Sequence, residues 1–206
     1  MNIMKKYKWS WLLIAVCLIA AGFLVANVLG LGKSKLPVVG QVADFRMENV
    51  DGSTVSRDDT AGKVRLMYFY FTSCPDVCPP TTMVLSQVQN ELKKEEGVFG
   101  EEAAIVSFSF DPETDTREKI KAFGDKFFAD YSGWYFLRGD QEETRQLMQG
   151  SFKIPLIGNS AENYTHGNRI ALVDRENNIR KMYDASDPSN VVVADVVKDI
   201  QGLIKE

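Results

Sequence analysis

Val64-Arg65-Leu66-Met67-Tyr68-Phe69-Tyr70-Phe71-Thr72-Ser73-Cys74-Pro75-Asp76-Val77-Cys78-Pro79-Pro80 is the stretch on which the fold turns. Residues 64–71 are β-branched or aromatic with few polar interruptions, the pattern of a central strand buried on both faces. Pro79 and Pro80 sit where the first turn of a helix tolerates proline. Val84, Leu85, Val88 and Leu92 then recur at spacings of one, three and four, which predicts a helix over 80–96 ending at Gly97. Cys74 and Cys78 therefore mark a strand-to-helix junction. Two thiols at that spacing can carry redox chemistry, bind a soft metal, or both. A disulfide there closes one helical turn and restrains the unfolded chain little, so the spacing points to function rather than to stapling.

Working outward, residues 43–47 and 54–56 flank a turn at 49–52 and predict an N-terminal hairpin. Residues 103–110 form the next buried strand, broken by Asp111-Pro112. Asp115-Thr116 offers a cap for a helix carrying Ile120, Phe123, Phe127 and Phe128. A short strand at 134–137 precedes a helix over 141–149 that stops at Gly150. Residues 151–167 have no clear period and contain Pro155, Gly158 and Gly167, a long excursion of the kind that carries function. Residues 170–173 and 179–183 flank a turn, and Pro188 precedes a last helix carried by Val192, Val193, Val196, Val197 and Ile200. Helices alternating with short apolar strands imply a mostly parallel sheet covered on both faces, with an antiparallel edge. The class is α/β: a thioredoxin-like fold with an added N-terminal β-hairpin and a long loop before the final β-hairpin. No repeat or glycine-rich phosphate loop is visible.

The first part of the 206-residue chain reads differently. Lys5, Lys6 and Lys8 precede an apolar run from Trp9 to Leu31, long enough to cross a bilayer as a helix. Basic residues on its short side favour an N-terminus in the cytoplasm. The expected organisation is a basic stub and single transmembrane anchor over 1–32, a linker over 33–42, and an extracytoplasmic domain over 43–206. Cys17 would be a lipid-facing small hydrophobe. The chain has 24 Lys+Arg against 28 Asp+Glu; without the three N-terminal lysines the balance is 21 against 28, a net of −7. Such a surface argues against nucleic acid as a partner. Two remaining cysteines are too few for a disulfide-stapled scaffold.

If residues 75–78 begin to coil, Cys74 and Cys78 fall on one side, near unpaired helix N–H groups that stabilise thiolate in both. His166 is the only histidine. In the inferred fold, the turn before the strand at Ile170 lies beside the first helix, so two thiolates and one imidazole would converge. Soft thiolates suit Cu(I), and the absence of a fourth Cys or His, together with the expected location, favours copper over structural zinc. A surface loop histidine is the plain alternative. Asp76, between the cysteines, is placed to cap the helix, tune the thiols or touch a partner. Asp111 and Asp115 end the neighbouring strand at the active edge of the sheet, where loop-forming and capping roles fit them equally. Tyr68, Tyr70, Trp134 and Phe108, Phe110, Phe123 and Phe127 read as core.

Phe71-Thr72-Ser73-Cys74-Pro75-Asp76-Val77-Cys78-Pro79 resembles the signature of the Sco family of membrane-anchored copper proteins. Ser107-Phe108-Ser109-Phe110-Asp111-Pro112-Glu113-Thr114-Asp115-Thr116 is similar to that family's second block, and His166 matches its distal histidine. The resemblance covers about residues 37–204. It implies a copper chaperone or assembly factor for the dinuclear copper centre of cytochrome c oxidase subunit II. It implies one copper ion per chain, Cu(I) or Cu(II), held by Cys74, Cys78 and His166. It fits equally a thiol–disulfide oxidoreductase that reduces the subunit II cysteines before metallation. A redox or copper sensor is a third reading. Other copper chaperones or thiol–disulfide oxidoreductases are further expected partners, and the domain is expected to be monomeric. The family tends to place an Asp immediately before the histidine, where this chain has Thr165.

Overall fold

A computed structural model describes residues 8–28 and 36–206. Helix α1 spans Lys8–Val28. Its described side chains run over residues 11–22 and are exposed, Cys17 among them. No helix is long and apolar enough to cross a membrane among the described residues. The expected single-pass anchor, and the cytoplasmic and extracytoplasmic sides assigned from it, are corrected accordingly. Lys5, Lys6 and the 33–35 part of the expected linker lie outside the described residues.

The rest is one eight-stranded sheet with helices against it. Its strands are β1 (Gly40–Gln41), β2 (Arg46–Asn49), β3 (Thr54–Ser56), β4 (Val64–Tyr70), β5 (Ala103–Ser109), β6 (Trp134–Arg138), β9 (Arg169–Val173) and β10 (Asn178–Asp184), in spatial order β1-β10-β9-β4-β5-β6-β2-β3. Only β4–β5 and β5–β6 run parallel. The other five pairings are antiparallel. The mostly parallel sheet expected from the alternation of elements is thus a parallel trio with antiparallel wings. Both hairpins return beside strands distant in sequence, β2 on β6 and β9 on β4, and local patterning carries no signal of that choice. Gly40–Gln41, read as tether, pairs with β10.

The helices are α2 (Arg57–Thr60), α3 (Cys78–Leu92), α4 (Arg117–Lys126), α5 (Gln141–Gly150) and α6 (Val193–Ile204). Each start has a local cause. Ser56 and Asp59 form a reciprocal capping box for α2. Thr116 accepts from the Lys119 N–H, and Asp140 from Glu142 and Glu143. Helix α3 stops at Leu92, short of Gly97, because Lys93–Gly97 continues in turns. The 151–167 excursion is more ordered than its lack of period implied. Within it β7 (Leu156–Ile157) pairs antiparallel with β8 (Thr165–His166).

Every residue of β4 is buried. Its alternation divides the core. Tyr70 stacks on Phe123 of α4 with ring centroids 5.0 Å apart, while Phe69, facing the other way, meets Phe108 at 4.9 Å and Phe152 at 5.1 Å. Arg65 is the polar exception. Its guanidinium donates to Asn177 Oδ1 at 2.7 Å and to the Asp174 carbonyl, tying β4 to the β9–β10 turn, and burial pulls its pKa down to about 10. Phe108 joins the two halves of its layer by also packing edge-on against Phe45 at 5.0 Å. Replacing Phe108 with Ala should cost about 3–5 kcal/mol, read as a lower denaturation midpoint at unchanged slope. A loss under about 1 kcal/mol would show that this layer collapses to fill the gap.

Candidate metal centre

Strand β4 ends at Tyr70, and residues 71–77 lead to α3 without regular structure. The N-cap of α3 is Val77, with no side-chain cap and proline following in the first turn. Its amide groups are therefore left for the sulfurs. The Cys78 N–H donates to Cys74 Sγ at 3.4 Å. Cys78 is wholly buried, Cys74 is 7% exposed, and both are free thiols. Asp76 is exposed and does not cap the helix.

His166 arrives from across the sheet on β8, opposite Leu156 in register. Its ring packs edgewise against Phe110 (5.0 Å) and Phe71 (6.1 Å), and its Nδ1 lies 3.1 Å from the Gly167 carbonyl oxygen. Two residues on, the buried Asn168 donates to Thr81 Oγ1 on α3 at 2.9 Å and to the Ala185 carbonyl. This bolts the histidine's segment to the cysteines' helix. The ligand atoms of Cys74, Cys78 and His166 all lie within 4.8 Å of one another. Cys74 and His166 open on a cleft of about 440 Å³ edged by Pro75, Asp76 and Tyr164. A larger cleft of about 620 Å³ lies between the β1–β2 connection and α5, lined by no thiol or imidazole.

The expected carboxylates separate. Asp115 is buried and accepts from Thr72 N–H (3.0 Å), Thr72 Oγ1 and Ser109 Oγ (2.6 Å). It anchors the start of the cysteine segment and does not reach the sulfurs; the cap of α4 is Thr116. Burial raises its pKa despite the opposing donors. Asp111 is buried, with Oδ1 accepting from the Tyr164 hydroxyl at 3.3 Å and Oδ2 unpartnered. Tyr164 and Asn168 were missed from sequence. Both lie two residues from His166, and only the folded contacts single them out.

The two thiols are not equivalent, which corrects the expectation that helix N–H groups lower both. A hydrogen bond from the Cys78 thiol lowers the Cys74 pKa to about 4 against the effect of burial, with smaller help from His166 and the amides of Asp76 and Cys78. The same hydrogen bond, joined by burial, pushes Cys78 well above the ordinary thiol range. Two sulfurs and one ring nitrogen form a soft, three-donor set suited to a single copper ion. Metal–ligand bonds of roughly 2.0–2.3 Å need only a modest contraction of the observed spacing. A closed zinc site would want a fourth ligand, and Cys17, the remaining cysteine, sits on α1. With the topology withdrawn, the preference for copper rests on these donors alone.

In the reduced, metal-free protein Cys74 should be alkylated by iodoacetamide at pH 6 while Cys78 is spared, with the rate falling as pH drops through about 4. Because the folded pKa of Cys74 lies below its unfolded value, its contribution to stability is complete above pH ~9 and is lost as pH falls toward about 4. Site-resolved mass spectrometry showing equal labelling, or an onset near pH 9, would reject the asymmetry.

The SCO1/SenC family model matches residues 37–201. A SCO1 protein homolog of Bacillus subtilis is 30% identical over 181 residues, covering 87% of this chain and 91% of that one. The structure of BsSco, described as having a disulfide switch and as a member of the Sco family of cytochrome c oxidase assembly proteins, superposes with a TM-score of 0.71 at 30% identity, over 84% of this chain and 96% of its own. Arabidopsis thaliana ScoI, solved with copper bound, gives a TM-score of 0.63 at 27% identity, over 79% and 98%. With the match running from the β1 edge to the last helix through both cysteines and the histidine, this chain belongs to the SCO1/SenC family.

Proposed function

We propose that the protein serves cytochrome c oxidase maturation by loading copper into the dinuclear copper centre of subunit II, with Cys74, Cys78 and His166 as ligands. The observation that carries this reading is the convergence of the chain's one histidine on a buried cysteine pair. The copper bound in Arabidopsis ScoI supports it. Cys74 is already a thiolate at neutral pH, so binding displaces one thiol proton, from Cys78. The thiolates satisfy Cu(I), and the imidazole completes the set for Cu(II). Cys74 and His166 edge the cleft, so a recipient's thiols can replace these two ligands first and leave Cys78 last. One copper per chain should bind the reduced protein, with X-ray absorption showing two sulfurs and one nitrogen. His166→Ala should weaken Cu(II) more than Cu(I). Sulfur–copper contacts that outlast removal of both cysteines would end this reading.

The unequal thiols favour a second activity in the same protein, reduction of the subunit II disulfide. The Cys74 thiolate attacks one partner sulfur, forming a mixed disulfide and releasing a partner thiolate. Cys78 then gives up its proton and attacks Cys74. The Cys74–Cys78 disulfide closes and the second partner thiolate leaves, so two partner thiols form as two here are oxidised. The disulfide switch named for BsSco supports this reading. Cys78→Ser should trap the mixed disulfide with an oxidised subunit II fragment. A fragment left oxidised by the reduced wild-type protein would reject it.

A further inference from the structure

Helix α5 carries Gln141, Arg145 and Gln149 at successive intervals of four, one stripe along its length. All three side chains reach the hairpin that holds His166. Arg145 spans two carbonyls, donating to Leu156 O at 2.9 Å and Gly158 O at 2.6 Å. Gln149 donates to the same Leu156 carbonyl at 2.9 Å. Gln141 donates to the Tyr164 hydroxyl at 2.7 Å and to Asn159 O at 3.3 Å. Leu156 is the residue paired with His166. On the other side, the Tyr164 hydroxyl meets Asp111 Oδ1 at 3.3 Å, and its ring packs between Phe71 and Phe110, the rings that also touch His166.

These bonds matter because little else holds the hairpin. Between Leu156 and Asn168 no residue is buried, and Ile157 is 67% exposed. Two strands of two residues are not stable alone. The turn closes on Asn163, whose Oδ1 accepts from the amides of Asn159 and Ser160, and Gly158, at φ +90°, leaves no room for a Cβ against the Asn163 carbonyl. The hairpin is thus a preformed unit with its own geometry, docked by polar side chains together with Leu156 and the packed rings of Tyr164 and His166.

We propose that the Gln141–Arg145–Gln149 stripe and the Asp111–Tyr164 contact form a positioning device that holds His166 beside the thiols before metal arrives. The proposal rests on His166 being a ligand. It deepens that reading by naming what keeps the imidazole within reach. Arg145 is the centre of the device, because its planar fork grips two carbonyls at once, which a lysine does not reproduce.

The test uses the full chain, reduced and metal-free, then titrated with Cu(II) or Cu(I). In Arg145→Ala, amide exchange over residues 156–166 should quicken about tenfold, with β4 and β5 unchanged. Cu(II) affinity should fall about tenfold and the nitrogen hyperfine signature of histidine ligation should weaken, while Cu(I) affinity stays within about twofold. Arg145→Lys should restore little. Unchanged exchange, or equal loss of both copper affinities, overturns the proposal. If Arg145→Ala does not fold, Tyr164→Phe, which deletes one oxygen and keeps the ring packing, carries the same measurements. His166→Ala separates the two readings. If it leaves Cu(II) binding intact, the ligand assignment fails, and with it the device; if it weakens Cu(II) while Arg145→Ala and Tyr164→Phe do not, only the device fails.

Discussion

The carboxylate of Asp115 sits where two parallel strands end, and the geometry of the metal centre depends on it. Its oxygens gather the Thr72 amide and hydroxyl from the end of β4 and the Ser109 hydroxyl from the end of β5. The cysteine segment starts at that point, so the carboxylate fixes its departure angle. Hydrogen bonds to a charged acceptor contribute about 1.5–3 kcal/mol each, yet burial outweighs the donors here and the acid's pKa rises. A buried carboxylate of this kind is a poor source of stability. Its value lies in geometry, since an apolar replacement would leave the Thr72 amide free to turn elsewhere.

Much of this was legible in the chain. The 64–80 stretch announced a buried strand, a proline-led helix and a thiol pair between them, and each stands at its expected place. His166 followed from position in the fold, and the second block from the family resemblance. What escaped reading depends on partners distant in sequence. The alternation of helices and strands does not reveal that β9 returns antiparallel beside β4 or that β2 seeks out β6. The 151–167 segment has no period because its order comes from side chains of α5 and from a turn closed on Asn163. The apolar N-terminal run read as a membrane span, yet no helix among the described residues is long and apolar enough to be one.

The inequality of the thiols also could not be read from spacing. The first helix amide, that of Cys78, meets Cys74 Sγ, and a single proton shared between the sulfurs charges one and neutralises the other. Cys78, wholly buried, keeps the proton; Cys74, at the cleft, gives it up. That division suits both proposed activities, metal capture and disulfide attack, because each would begin at an accessible thiolate and finish at the buried partner.

The contact between His166 Nδ1 and the Gly167 carbonyl oxygen has a consequence for the imidazole itself. A carbonyl oxygen only accepts, so this contact favours a ring hydrogen on Nδ1 and leaves Nε2 to face the sulfurs. A metal-ligating imidazole braced by a carboxylate becomes a stronger electron donor. One braced by a peptide carbonyl stays a milder donor. In the ligand set proposed above, the bond to nitrogen is therefore the one most readily given up.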